Sequence, residues 1–182
     1  MKLIGDHPRV IVLSGASGSG KSTVCRRLVA LAQPLGLEIG GVLTLPRIEN
    51  GRTIGLDVQD IVSGAVQPLA EAASPTDGPS TGRFNFHARG IAGGNQLLRS
   101  TSGCEWLVID ELGPLELLHE QGWVVGLEVL NHGAYGRAVV VVRAALVARF
   151  AELLRSTPFL SIEVTTDNRD NLPAQILGTK KS

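Results

Sequence analysis

Lys21 and Ser22 stand at the end of a run of small residues, GASGSGKS over 15–22, in the types and spacing that hold a chain of phosphates. A polyphosphate needs converging N–H donors, one reaching cation, and a hydroxyl that shares a divalent metal. Gly15, Ala16, Ser17, Gly18, Ser19 and Gly20 supply the first, Lys21 the second, and Ser22, followed by Thr23, the third. The glycines permit φ > 0 and leave the backbone bare, so successive N–H groups can face one concavity. Lys21 is then expected on the β- and γ-phosphates and Ser22 on Mg²⁺. A Gly/Ser turn also serves as a plain flexible connection, but lysine usage favours the site. The lysines are Lys2, Lys21, Lys180 and Lys181, so the one in the body of the chain is the one the pattern requires.

A second stretch, CEWLVIDELGPLELL over 104–118, carries two adjacent acids after an apolar run. At the carboxyl end of a buried parallel strand, Asp110 lies where ligands of open α/β sheets collect and can take the metal side of a bound nucleotide. Glu111 beside it can polarise a water aimed at the γ-phosphorus. The alternative is an Asp-Glu pair that only closes the strand and faces solvent. Glu116, His119 and Glu120 follow in a helical tract after Pro114 and are read as solvated.

These groups need a scaffold that brings 15–23 to 110–111. The β-branched run over 10–13 reads as a strand buried on both faces, and 20–33 as the helix whose positive end points at the phosphates. Residues 38–45 resume as a strand. The Asn50-Gly51 turn and the alternating Ile54, Leu56 and Val58 make 42–61 an antiparallel hairpin at one sheet edge, continued by AVQPLAE. The run AASPTDGPSTG over 72–82 reads as a mobile loop, and 72–100 as a possible lid. RFNFH reads as one more short strand and 91–100 as a helix weakened by two glycines. Strands over 106–109, 138–142 and 160–164, and helices over 144–156 and 168–177, complete the alternation, Asp167 or Asn168 capping the last. Arg143 leaves the 138–142 strand on the phosphate side, placed either to sense the γ-phosphate or to form an ordinary ion pair. The expected fold is α/β in three layers, with a mostly parallel central sheet and an antiparallel hairpin at one edge, as a single domain over 1–182.

Composition narrows the class. Acids and bases balance at 17 each, so no basic surface announces nucleic acid. Cys25 and Cys104 lack both the number for a disulfide framework and metal-ligand spacing; Cys25 reads as a small buried thiol, and a reducing, cytoplasmic setting follows. The amino-terminal MKLIGDHP is too short an apolar stretch for a signal peptide, and no run suits a membrane span. The residues leave protein partner and oligomeric state open.

With both acidic and phosphate-loop stretches in place, the chain resembles the cancer-related and thermophile-type nucleoside-triphosphatases, small P-loop proteins also described as nucleotide-kinase-like. GGVLTLPRIENGRTIGLDVQDIVSG resembles that family's hairpin, WLVIDELGPLELL its Asp-Glu-Ile-Gly stretch, and VTTDNRDNLPAQI its closing Asn-Arg segment. Pro114-Leu115 stands where the family has Lys-Met. The resemblance implies a P-loop NTPase fold and Mg²⁺-dependent hydrolysis of ATP, GTP and other nucleoside triphosphates with broad base preference. It implies Gly15 to Ser22 as phosphate loop, Asp110 as metal-side acid and Glu111 as base. Asn168 and Arg169 become candidate base or phosphate contacts, with a helix cap and a surface ion pair as their alternatives.

Two rival functions share these residues. A nucleotide or small-molecule kinase would seat an acceptor over the phosphate loop, and a nucleotide-gated regulator would order its loop at 72–82 on the γ-phosphate. Arg83, Arg89, Arg99, Arg143 and Arg149 are all eligible as an arginine finger, none unambiguously, so slow turnover is expected. An acid followed by a catalytic Glu also suits a sheet with one strand inserted between the phosphate-loop strand and the acidic strand.

Overall fold

The computed structural model describes residues 8–101, 103–155 and 157–178. Lys2, Lys180, Lys181, residues 1–7 of the amino-terminal stretch and Ser156, the expected end of one helix, lie outside them. In chain order the elements are β1 (Val10–Ser14), α1 (Lys21–Ala32), β2 (Ile39–Glu49), β3 (Arg52–Asp60), β4 (Val66–Glu71), β5 (Ser80–Thr81), β6 (Phe84–Phe86), α2 (Ala88–Ser100), β7 (Trp106–Leu112), α3 (Pro114–His119), α4 (Val124–His132), β8 (Arg137–Val142), α5 (Val147–Leu153), β9 (Phe159–Glu163) and α6 (Leu172–Leu177).

The strands form one sheet in the order β5-β6-β4-β3-β2-β7-β8-β1-β9. From β2 to β9 all pairings are parallel, and from β2 outward to β5 all are antiparallel. β8 lies between β1 and β7, the inserted strand that the acid pair suggested. The antiparallel edge is wider than a hairpin: β4 and β6 alternate well enough to pair Ala70 with Phe86, and β5 adds a short outer rung.

The central strands are apolar throughout because both faces are covered. Val10, Val12, Leu107, Ile109, Val140 and Val142 point to one core, which they share with Leu98 of α2, Leu117 of α3, Leu130 of α4 and Phe150 of α5. Ile11, Leu13, Val108, Val139 and Val141 point to the other, shared with Val24, Cys25 and Leu28 of α1 and Ile176 of α6. Each such buried aliphatic side chain contributes about 1.5–3 kcal/mol. The result is helix, sheet and helix in three layers, with Cys25 buried as expected.

Four local expectations change. α2 starts at Ala88, and its glycines let it sit close to its neighbours instead of merely weakening it: a Cβ at Gly90 would fall 2.5 Å from the Pro68 carbonyl oxygen, and one at Gly94 2.1 Å from the Trp123 indole nitrogen. The helix expected over 144–156 opens as a 3₁₀ turn, Ala144–Leu146, before α5. α6 begins only at Leu172, with Pro173 in its first turn, because the residues before it form a hydrogen-bonded turn. The segment over 72–82 is tied down at several points: the Thr76 hydroxyl donates to the Phe86 carbonyl, Asn85 Nδ2 donates to the Ser74 carbonyl, and the Asp77 carboxylate accepts from the Ala88 N–H.

Candidate functional site

β1 runs into the loop with Ser14 still buried, and Gly15 turns the chain at φ +129°, where an added Cβ would fall 2.6 Å from the Val164 carbonyl oxygen. Gly20, at φ +105°, closes the loop and opens α1 with no side-chain cap, so the first turn of the helix leaves its N–H groups to whatever anion approaches. The Lys21 ammonium, nearly buried, donates to the carbonyls of Gly15 at 3.0 Å and Ala16 at 2.7 Å. Those contacts hold the cation at the centre of the concavity. The Ser19 hydroxyl is buried there without a partner.

The acids arrive through a break in pairing. Along β7 and β8 the register runs from Ile109↔Val140 to Leu112↔Val142, so three steps on β7 oppose two on β8. The extra residue is a bulge, which re-aims the side chains of Asp110 and Glu111 at the end of the sheet. Asp110 Oδ1 accepts from the Ser22 hydroxyl at 2.9 Å, and the Thr44 hydroxyl of β2 donates to the Asp110 backbone carbonyl. Asp110 is 1 % exposed and its Oδ2 has no partner. Burial therefore pushes its carboxyl from 3.8 to about 7; the Ser22 hydrogen bond pulls the other way, and the neighbouring Glu111 charge adds to the rise.

A buried carboxylate with one orphaned oxygen beside a serine hydroxyl is a donor set that fits Mg²⁺, which takes few protein oxygens and completes its shell with phosphates and water. No group of three or more His, Cys, Asp or Glu side chains suited to an all-protein metal cage occurs among the described residues. Ser22 and Asp110 are the donors the site offers such an ion.

Glu111 is half-exposed, and its Oε1 accepts from Arg143 Nε at 2.9 Å, so Arg143 takes the ion-pair alternative while staying on the cleft wall. Glu116 corrects its expected solvation. It is 7 % exposed, accepts from the N–H groups of Gly113 and Trp123 at 2.8 Å each, and so caps α3 and ties its start to that of α4. Burial raises its carboxyl above the usual range. His119 and Glu120 are exposed, as expected.

Asn168 does not cap a helix. Its Oδ1 accepts from the Thr165 N–H at 2.9 Å and its Nδ2 donates to the Glu163 carbonyl at 2.8 Å, pinning the turn after β9. Arg169 takes its surface ion-pair alternative, Nε 3.9 Å from Asp170 Oδ1, and lies against Gly20, its Cδ 2.7 Å from where a Cβ would stand, beside the start of α1.

One cleft of about 820 Å³ collects most of the rest. Gly15, Ser17, Gly18, Gly20, Lys21, Ser22 and Thr23 line one end together with Asp110, Glu111 and Arg143. Of the other eligible arginines only Arg83 reaches it; Arg149 instead donates to the Leu117 carbonyl and pairs with Glu152. Arg26 of α1 and Thr44 also line it, and sequence reading missed both. Arg26 follows Thr23 by three residues, a helical spacing that places it near the same opening; nothing local marks Thr44.

A model of the NTPase family matches residues 10–177. The chain is 29% identical over 167 residues to the nucleoside-triphosphatase THEP1 of Thermofilum pendens, covering 91% of each. It is 30% identical over 176 residues to that of Methanopyrus kandleri, covering 93% of this chain and 94% of the relative. Among solved structures, a human cancer-related nucleoside triphosphatase superposes with a TM-score of 0.71 at 24% identity, covering 93% of this chain and 95% of that one. THEP1 from Aquifex aeolicus superposes with a TM-score of 0.68 at 18% identity, covering 92% and 96%.

Proposed function

The chain belongs to the NTPase family, and from that membership we propose that it hydrolyses nucleoside 5′-triphosphates, ATP and GTP among them, to the diphosphate and phosphate with Mg²⁺. The observation that carries the reading is the meeting of Lys21, Ser22 and the half-orphaned Asp110 carboxylate at the uncapped start of α1, with Glu111 one residue away.

Hydrolysis of this kind is positioning and charge placement. The N–H groups of 15–23 grip the phosphate chain, and Lys21 trades the carbonyls of Gly15 and Ala16 for phosphate oxygens. Ser22 and Asp110 would hold Mg²⁺, which would supply positive charge against the phosphate oxygens. Glu111 accepts a proton from water as the water oxygen bonds to the γ-phosphorus and the bond to the β-phosphate oxygen breaks. Arg143 holds Glu111 in place and faces the γ-phosphate from the same wall.

Two features support slow turnover with broad base preference. Arg143 serves Glu111 before it serves phosphate, so it is not committed to the transition state alone. Near the start of α1, Asn168 spends its side-chain amide on its own turn, and Arg169, paired with Asp170 through Nε at 3.9 Å, keeps a flat guanidinium face that can stack on any base. A single phosphate-loop domain fits this chemistry; the 72–100 segment, expected as a lid, is tied down over 74–77 and buries Leu98 of α2 in the core, so it borders the cleft as a fixed wall. The unpaired thiols of Cys25 and Cys104 fit a reducing, cytoplasmic compartment; no helix among the described residues is long and apolar enough to cross a membrane.

Purified protein incubated with Mg²⁺ and each nucleoside triphosphate in turn should release phosphate, and Lys21→Ala should abolish it. Absence of release from every triphosphate refutes the assignment.

A further inference from the structure

Asp110 and Glu111 lie on the stretch of β7 that neither neighbouring strand pairs with. The β2–β7 ladder ends at Val42↔Ile109, although β2 runs on to Glu49 and β7 to Leu112. On the other side β8 passes from Ile109↔Val140 to Leu112↔Val142. Neither ladder therefore gives either acid an opposite residue. A peptide released in this way is free to turn, and a turn of the peptide between two acids swings both carboxyl groups at once. A site that must hold its reacting groups to about 0.5 Å needs that freedom removed.

Three polar contacts from distant parts of the chain meet there. Ser22 of α1 donates to the Asp110 carboxylate at 2.9 Å, and Arg143, just after β8, donates to the Glu111 carboxylate at 2.9 Å. The third comes from β2. The Thr44 hydroxyl donates to the backbone carbonyl of Asp110, the oxygen of the peptide that joins the two acids. Thr44 stands two residues past the last β2–β7 pair, so its side chain makes a cross-strand bond where the ladder has stopped. Its own position is fixed: its backbone pairs with Val58 of β3, which is 1 % exposed, and its β-branched side chain has few rotamers. Ser22 and Arg143 line the cleft and face an incoming triphosphate as well as the acids; the Thr44 hydroxyl is spent on backbone.

We propose that Thr44 is a positioning residue, whose hydroxyl fixes the peptide between Asp110 and Glu111 and so aims the metal-side acid and the proton acceptor together. The role rests on the hydrolase reading above. Thr44 acts only through the two acids, as the outer partners of ligating carboxylates do, and loss of such a partner typically costs about 10–100-fold in metal affinity or activity. Valine has nearly the same shape and no donor. Thr44→Val leaves the Asp110 carbonyl without this partner and lets the peptide turn, with the phosphate loop untouched. Thr44→Ser keeps the donor and should keep the aim.

Two measurements on the full chain test this, one of them without turnover. Mn²⁺ binding in the presence of a non-hydrolysable ATP analogue is followed by the electron paramagnetic resonance signal of the free ion, and phosphate release with Mg²⁺ and ATP gives kcat and KM. Thr44→Val should bind Mn²⁺ about 10–100-fold more weakly and lower kcat by about the same factor, with KM for ATP little changed. Thr44→Ser should recover most of both. A wild-type value for Thr44→Val in either measurement overturns the joint aim. Equal damage from Thr44→Ser also overturns it, because the effect is then one of packing, and a raised KM with kcat intact overturns it by placing the hydroxyl on the triphosphate. Should Thr44→Val not fold, Thr44→Ala, which removes the same donor and adds no methyl, is measured in its place and judged alike. Wild-type chain that binds Mn²⁺ with the analogue but releases phosphate from no triphosphate overturns hydrolysis and the part of Glu111, while the Mn²⁺ comparison still decides whether Thr44 aims Asp110.

Discussion

Replacing Asp110 by Asn separates what burial costs this protein from what the site gains by it. Between pH 3.8 and about 7 the folded, metal-free chain holds a proton on Asp110 that the unfolded chain has released. The folded state therefore binds more protons in that window, and stability falls as pH rises through it. The shift of about three units, at about 1.4 kcal/mol each, amounts to a loss of about 4 kcal/mol by pH 7. The group is almost wholly buried, so solvent does little to screen it. Asn keeps an acceptor for the Ser22 hydroxyl and carries no charge at any pH; its unpaired N–H₂ costs about 1–3 kcal/mol, independent of pH. Urea unfolding with EDTA present, followed between pH 4 and 8, isolates the effect, because every other group titrates in both proteins and cancels. The stability of Asp110→Asn relative to wild type is expected to climb by about 4 kcal/mol from the acid to the neutral end. Parallel curves would refute the claim that burial, with nothing on Oδ2, governs this carboxyl. In a second arm, Mg²⁺ with ATP should raise the wild-type melting temperature and leave that of Asp110→Asn nearly unmoved.

Glu111→Gln should lower kcat by about 10²–10⁴ with little change in KM for the triphosphate, since it removes the proton acceptor and keeps the shape; steady-state kinetics decide, and an unchanged kcat dismisses Glu111 as base. Glu116→Ala leaves the N–H groups of Gly113 and Trp123 without their partner, at about 1–3 kcal/mol for each, and urea unfolding should show a loss of that size. Gly94→Ala puts a methyl 2.1 Å from the Trp123 indole, so the usual helix gain from alanine is expected to reverse into a loss of about 1–3 kcal/mol, read as a lower melting temperature.

Much of this protein is written in short-range pattern. The phosphate loop, the turn at Asn50-Gly51, the apolar runs of β1, β7 and β8, and the pair Asp110-Glu111 are recognisable because they depend on residues a few positions apart. Backbone freedom at Gly15 and Gly20, side-chain alternation and residue spacing are local properties, and folding only displays them. The family features that ride on those motifs were available for the same reason.

What tertiary structure decided depends on partners distant in the chain. Glu116 looked solvated because its neighbours are unremarkable, yet the chain at Gly113 and Trp123 closes over it. The glycines of α2 looked like helix defects until Pro68 and Trp123 packed into the space they leave. Thr44 reached Asp110, and Arg143 reached Glu111, only once β8 had settled between β1 and β7. The apolar wall of the cleft is assembled from β3, β4, β6 and α2, each of which reads alone as ordinary core. Residue types settle which groups can bind phosphate or move a proton; desolvation and proximity, which set their charge and their reach, exist only after distant segments have come together.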